Sequence, residues 1–363
     1  MELRLAHSNQ PLTDAWRTHP VEPRGSTLLG ISFRPLQAEA LGLERRAALR
    51  LLLDYPYPLV RLGAYWNRIE GEPGRFDTAE LDWQIDAVER TGKQILLAVG
   101  AVKTFGYPEV FVPPHWLAQP FREGSLVQPA SHPELLSGAE AFITRIVSRY
   151  RDRQSIVAWQ LEHEAVDPLG VEHSWRLGRS FVERELQALR AADPSRPVMM
   201  NGFLPTSSVV RLSQWWHTRD QGDSLAVSTS LADMVGVDYY PRTALSRFGH
   251  RTLYLDGADG RSARATREGV FASVRGRGKR LMISEGQAEP WETTTVPPSP
   301  EQHAPYSCPP EQLIGNYNAA MTWSFKGDPL YAYLFWGAEY WLLRSQSGDP
   351  SYVQAFARVL ENS

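Results

Sequence analysis

The chain has 363 residues, 42% of them hydrophobic and 22% charged, which are the proportions of a globular protein with a large core, not of a disordered or fibrous chain. A formal net charge of −3 gives no electrostatic basis for binding nucleic acid or an anionic membrane. A single cysteine, Cys308, excludes an intrachain disulfide and a cysteine-based metal site.

Residues 1–25 show no clear period and carry Pro11, Pro20 and Pro23, so an irregular N-terminal arm is predicted, followed by one domain over 26–363. Met1 to His7 lacks the basic-then-apolar pattern of a secretory leader. No run approaches the roughly eighteen apolar residues of a membrane span. A reducing, cytoplasmic location is expected.

From Leu28 the pattern becomes regular. Apolar runs predict strands at 28–33, 59–65, 94–99, 156–165, 198–203, 234–240, 280–285 and 331–336. Periodic stretches near 36–53, 77–88, 131–150, 172–191, 208–216, 263–274, 311–323 and 352–360 predict helices between and after them. Asp77-Thr78-Ala79-Glu80 and Ser131-His132-Pro133-Glu134 have capping-box spacing. Eight strands alternating with eight helices predict an α/β fold, a (β/α)8 TIM barrel of one domain. The longest loops follow the third, sixth and seventh strands, on the carboxyl face where barrels carry their sites.

The fourth strand begins as the apolar run Ile156-Val157-Ala158-Trp159 and ends in Gln160-Leu161-Glu162-His163-Glu164-Ala165, and the seventh, Arg280-Leu281-Met282-Ile283-Ser284-Glu285, ends in a glutamate. Two apolar strands that each end in a glutamate predict a paired-carboxylate site. The other strand ends add Arg61, Tyr65 and Trp66, then His115 and Trp116, Asn201, Asp238, Tyr239 and Tyr240, Gln287, Trp336 and Glu339. Carboxylates, aromatics and hydrogen-bonding groups suit a neutral, hydroxyl-covered ligand with apolar faces, which describes a sugar.

Other barrel chemistries fit less well. A Schiff-base aldolase needs an interior lysine, and Lys93, Lys103, Lys279 and Lys326 all fall outside the predicted strands. The first strand, Gly30-Ile31-Ser32-Phe33, has no His-x-His for a metallohydrolase, and His163-Glu164 has no second histidine at helical spacing. Ser284-Glu285-Gly286-Gln287 and Trp336-Gly337-Ala338 are too poor in glycine for a phosphate-binding turn. No metal or organic cofactor is expected.

Several segments together resemble clan A glycoside hydrolases, in the style of families 5 and 42. Val60-Arg61-Leu62, Tyr65 to Glu70 and Glu72-Pro73-Gly74-Arg75-Phe76-Asp77 look like their second barrel unit. Trp159 to Glu164 is similar to the strand-four motif that ends in Asn-Glu, Ile283-Ser284-Glu285 to the strand-seven nucleophile, and Phe335-Trp336-Gly337 to the strand-eight tryptophan that floors the sugar site. The resemblance spans roughly residues 26–345. It departs at His163, which stands where most of the clan has asparagine, as in the family 26 mannanases.

The resemblance implies a retaining β-glycosidase. Glu285 would be the nucleophile and Glu164 the acid/base, with carboxyl groups about 5–5.5 Å apart. Arg61 and Tyr240 would keep Glu285 ionised, and Trp336 would stack on the sugar. Trp66, His115, Trp116, His163, Asn201, Gln287 and Trp291 are further candidates for lining the site. The loop 286–310 is expected to cover it. Two alternatives use the same residues: a catalytically silent carbohydrate-binding barrel and a transglycosylase.

Overall fold

The computed structural model describes residues 2–363 apart from 107–108, 118–121, 123, 168–174, 207, 258–260, 293–302 and 324–327. Eight parallel strands close into a barrel: β1 (Leu28–Ser32), β2 (Leu59–Gly63), β3 (Gln94–Ala98), β4 (Ile156–Gln160), β5 (Val198–Phe203), β6 (Met234–Tyr239), β7 (Arg280–Gln287) and β8 (Ala332–Trp336). Each pairs with its sequence neighbours, and β8 pairs with β1. Helices such as Pro133–Tyr150 and Arg179–Ala192 cover the outside. No helix among the described residues is long and apolar enough to cross a membrane.

Side chains alternate across each strand, and the alternation grades the barrel from dry to polar. Leu59, Leu96, Ala158, Met199, Met234, Met282, Ala332 and Leu334 pack together as one apolar cluster inside. Two residues further along β2, β4 and β5, the inward positions become Arg61, Gln160 and Asn201, and four beyond Met234 lies Asp238; all four are buried. The outward set, among them Val60, Leu97, Trp159, Val235 and Ile283, packs against the helices.

Several elements differ from expectation. The N-terminal arm is ordered: Glu2–His7 pairs antiparallel with Arg251–Asp256, and Asn9–Pro11 with His303–Pro305. Those strands take their order from distant partners, so three prolines and the lack of a clear period concealed them. The segment after β6 begins with a hairpin, Arg242–Phe248 and Arg251–Asp256. Helices also form at Ser224–Leu231, capped by the Asp223 carboxylate on the Ala226 N–H, and at Ala338–Gln346. Neither capping box forms. Thr78 bonds Asp82 instead, with Asp77 taking the Ala79 N–H, while Ser131 bonds His132.

Candidate active site

Glu285 stands at a bulge. Continuing the alternation from Met282 would turn Ser284 inward and Glu285 out, but the register with both β6 and β8 shifts here. The bulge brings both residues inside. Ser284 Oγ donates to Asp238 Oδ1 at 2.6 Å, and Glu285 Oε1 accepts from Arg61 Nη1 at 2.8 Å. Tyr240 Oη donates to Glu285 Oε2 at 2.6 Å. Burial lifts the Glu285 carboxyl above the ordinary range, while Arg61 and the Tyr240 hydroxyl pull it back by favouring the charged form. The Tyr240 phenol is held well above its usual value, first by burial and then by Glu285, so it stays a donor. Tyr239 points the other way, edge-on to Trp323.

Glu164 is held by a strained turn. Glu162 and Glu164 both have positive φ, 40° and 43°, a conformation that costs a non-glycine residue about a kcal/mol or more. Three contacts sustain it. The Glu162 carboxylate accepts from the Val102 and Lys103 N–H groups at 2.9 and 2.5 Å. His163 N–H donates to the Lys103 carbonyl at 2.8 Å. The buried Lys103 ammonium donates to the carbonyls of Glu164 and Asp167 at 2.8 and 3.1 Å. Gly100 admits this approach, since a Cβ there would stand 2.3 Å from the Glu162 nitrogen.

The Glu164 carboxyl faces Asp238. Burial pushes it well above the ordinary carboxylate range, and the negative charges of Asp238, Glu109 and Asp167 add to this against the pull of Lys103. Asp238 is also raised by burial and by Glu285, and it accepts from Glu164. Two carboxyls in contact share one proton. Asp238 already accepts from Ser284 Oγ and from Asn201 Nδ2 at 2.5 Å, so Asp238 is the charged member and Glu164 keeps the proton.

His163 lies close to both glutamates. Its Nδ1 is 3.6 Å from Glu285 Oε1 and 2.8 Å from Asn201 Nδ2. Burial first, then the charges of Arg61 and Lys103, lower its pKa well below the usual value, so the ring is neutral. His163, Glu164 and Asp238 each offer a ligand atom within 4.8 Å of the others, a spacing that could hold a divalent cation. Asp238 already has hydrogen-bond donors on both oxygens, and two cations act on the ring. That arrangement favours a proton over a metal.

Of the residues expected here, Arg61, His163, Asn201 and Tyr240 gather with Glu164 and Glu285. Trp336 joins them, packed with Phe105, Ala98 and Tyr240 and with the Arg34 guanidinium 4.3 Å over its ring. Trp291 reaches the rim, edge-on to Tyr240 at 5.6 Å. Residues 293–302 of the loop 286–310, which is expected to cover the site, lie outside the described residues. Gln287 is turned away; its amide brackets the backbone of Arg242.

Trp66, His115 and Trp116 assemble elsewhere. Trp66 is fully buried beneath Phe142, and its indole N–H bonds Glu70. Trp116 lies against Trp66 and Gly138 and also points to Glu70, with His115 Nε2 at 3.8 Å from that carboxylate. Trp66 opens a short helical turn, Trp66–Ile69, which carries its side chain out toward the helices. Sequence reasoning placed Gln160 and Asp238 at strand ends without giving either a role, and it missed Lys103. Gln160 and Asp238 were readable as inward strand positions; Lys103 sits on an irregular loop with no period to place it.

No protein-family profile matches this sequence, and no curated protein matches it. Solved structures do match in fold. One is a GH5_18 variant from Streptomyces cattleya in complex with Manβ1-4GlcNAc, at 14% identity and TM-score 0.55, covering 86% of this chain and 71% of that one. Another is native xylanase 10B from Thermotoga maritima, at 13% identity and TM-score 0.54, covering 93% and 95%. A third is the exo-β-1,4-mannosidase Op5Man5 from Opitutaceae bacterium strain TAV5, at 13% identity and TM-score 0.52, covering 88% and 54%. The shared feature is the closed barrel of eight parallel strands.

Proposed function

We propose that this protein is a retaining β-glycosidase with Glu285 as nucleophile and Glu164 as acid/base. The observation that carries the reading is two buried glutamates close to one imidazole, in opposed environments. Glu285 has two donors that favour its anion, while Glu164 lies among Asp238, Glu109 and Asp167, which favour its acid. Pairs of carboxyls pushed apart in this way mark acid and base partners. In the first step Glu285 bonds the anomeric carbon while Glu164 gives its proton to the departing oxygen. In the second, the Glu164 carboxylate takes a proton from water as that water displaces Glu285. Arg61 and Tyr240 hold the Glu285 carboxylate in place, and Trp336, backed by Phe105, supplies apolar surface for a sugar face. The barrels it matches in fold include named glycosidases, which supports the same reading.

His163 in place of the clan's asparagine points to acceptance of manno-configured sugars. Two of the similar structures are named for mannose-containing ligands or substrates. The test is a panel of nitrophenyl β-glycosides followed by Glu285→Gly with added azide. The expected result is loss of turnover in the variant and partial rescue that yields the inverted glycosyl azide. Rescue to the retained anomer would reverse the roles of the two glutamates, and no hydrolysis by the wild type would leave a carbohydrate-binding barrel.

A further inference from the structure

Arg61, Gln160, Asn201 and His163 form an unbroken row across β2, β4 and β5, and the row has a direction. A guanidinium carries only N–H donors, so the Gln160 atom facing Arg61 Nε at 2.7 Å is its carbonyl oxygen. The Gln160 amide nitrogen then faces Asn201 at 3.2 Å, where the accepting atom is Oδ1. Asn201 is left with its two amide hydrogens. One goes to Asp238 Oδ2 at 2.5 Å and the other to His163 Nδ1 at 2.8 Å. An imidazole nitrogen that accepts carries no hydrogen, so in the neutral ring the hydrogen sits on Nε2. The other tautomer would set two N–H groups against each other at Asn201, in exchange for a contact with Glu285 Oε1 at 3.6 Å, which is too long for a good hydrogen bond.

We infer that Arg61, acting through Gln160 and Asn201 as positioning residues, fixes His163 as the Nε2–H tautomer, making it a one-way hydrogen-bond donor to the ligand. Among the described residues none accepts from Nε2, which leaves that hydrogen for an oxygen lone pair of a bound molecule. The nature of that molecule, a sugar, rests on the glycosidase reading; the tautomer does not. A donor fixed in this way selects an accepting hydroxyl or ring oxygen and takes no proton itself, which keeps the proton traffic on Glu164. The row also couples ligand recognition to the nucleophile, because Arg61 bonds Glu285 with its Nη1 and starts the row with its Nε.

Long-range 1H–15N correlation on protein labelled with [15N]histidine tests this without any substrate. Loss of one signal set in His163→Asn assigns His163 among the nine histidines. At neutral pH the wild type is expected to show a protonated Nε2 and an unprotonated Nδ1. Gln160→Glu presents oxygens to both neighbours and so opposes the Asn201 orientation that Asp238 Oδ2 favours, and His163 is expected to populate Nδ1–H. Gln160→Met breaks the row and is expected to give both tautomers. A wild-type His163 protonated on Nδ1, or Nε2–H unchanged in both Gln160 variants, would overturn the inference. A protein that shows the predicted tautomer yet hydrolyses no glycoside would remove the glycosidase reading and leave the relay standing.

Discussion

Asp238→Asn tests how the site keeps a proton on Glu164. The charged Asp238 carboxylate accepts from Glu164 and raises its pKa, so removing that charge lets Glu164 ionise more readily. The limb of kcat/KM that falls as pH rises is expected to move to lower pH, since it reports loss of the acid. A limb that stays in place or moves up would show that another group holds the proton. His163→Asn tests the sugar preference at the same scale. The ratio of efficiencies is expected to shift from manno toward gluco substrates by roughly 1–3 kcal/mol, the exchange of one hydrogen bond; an unchanged ratio would leave His163 as packing. Both residues lay within reach of the strand pattern. Glu164 and Glu285 were singled out because apolar runs end at them, Asp238 was named beside two tyrosines but given no role, and Trp66 lies away from them because the turn that redirects it has no signature in the sequence.

The end of β4 is the element on which the site depends, and it is built against local preference. Two positive-φ glutamates persist there because Lys103, Glu162 and Asp167 tie the turn to its neighbours. Asp167 accepts from Gln214 Nε2 at 3.0 Å and from the Ser224 N–H at 3.3 Å, yet burial pushes its pKa up to about 6. A carboxyl whose folded pKa exceeds its unfolded one stabilises fully below the unfolded value and loses that contribution as pH rises through the folded one. The window is therefore about pH 4 to about 6, and about two pKa units correspond to about 3 kcal/mol. Asp167→Asn removes the titration, and Gln214 can turn its amide to pair with it. Across that window the wild type is expected to lose stability relative to the variant, seen as a gap in Tm that changes with pH. Parallel curves would show that Asp167 does not titrate there. Nothing in the sequence marked this turn, because its strain comes from long-range contacts across β3 and β4.

At the scale of the whole molecule, the barrel separates an apolar floor from a polar top, and the site follows from that gradient. The eight strands were legible because each buries an apolar run with the period of a sheet, and their observed starts fall within one residue of the predicted ones, although β4 ends at Gln160 and not at 165. The N-terminal strands, the hairpin after β6 and the Ser/Thr-rich helix Ser224–Leu231 were not, because distant pairing or packing determines them. The central claim is that Glu285 bonds the anomeric carbon and that water activated by Glu164 then displaces it, with net retention. Proton NMR of the sugar first released from a hydrolysed aryl β-glycoside, read before mutarotation, measures this directly. The account predicts that the β-anomer appears first and the α-anomer follows; the α-anomer appearing first would contradict it.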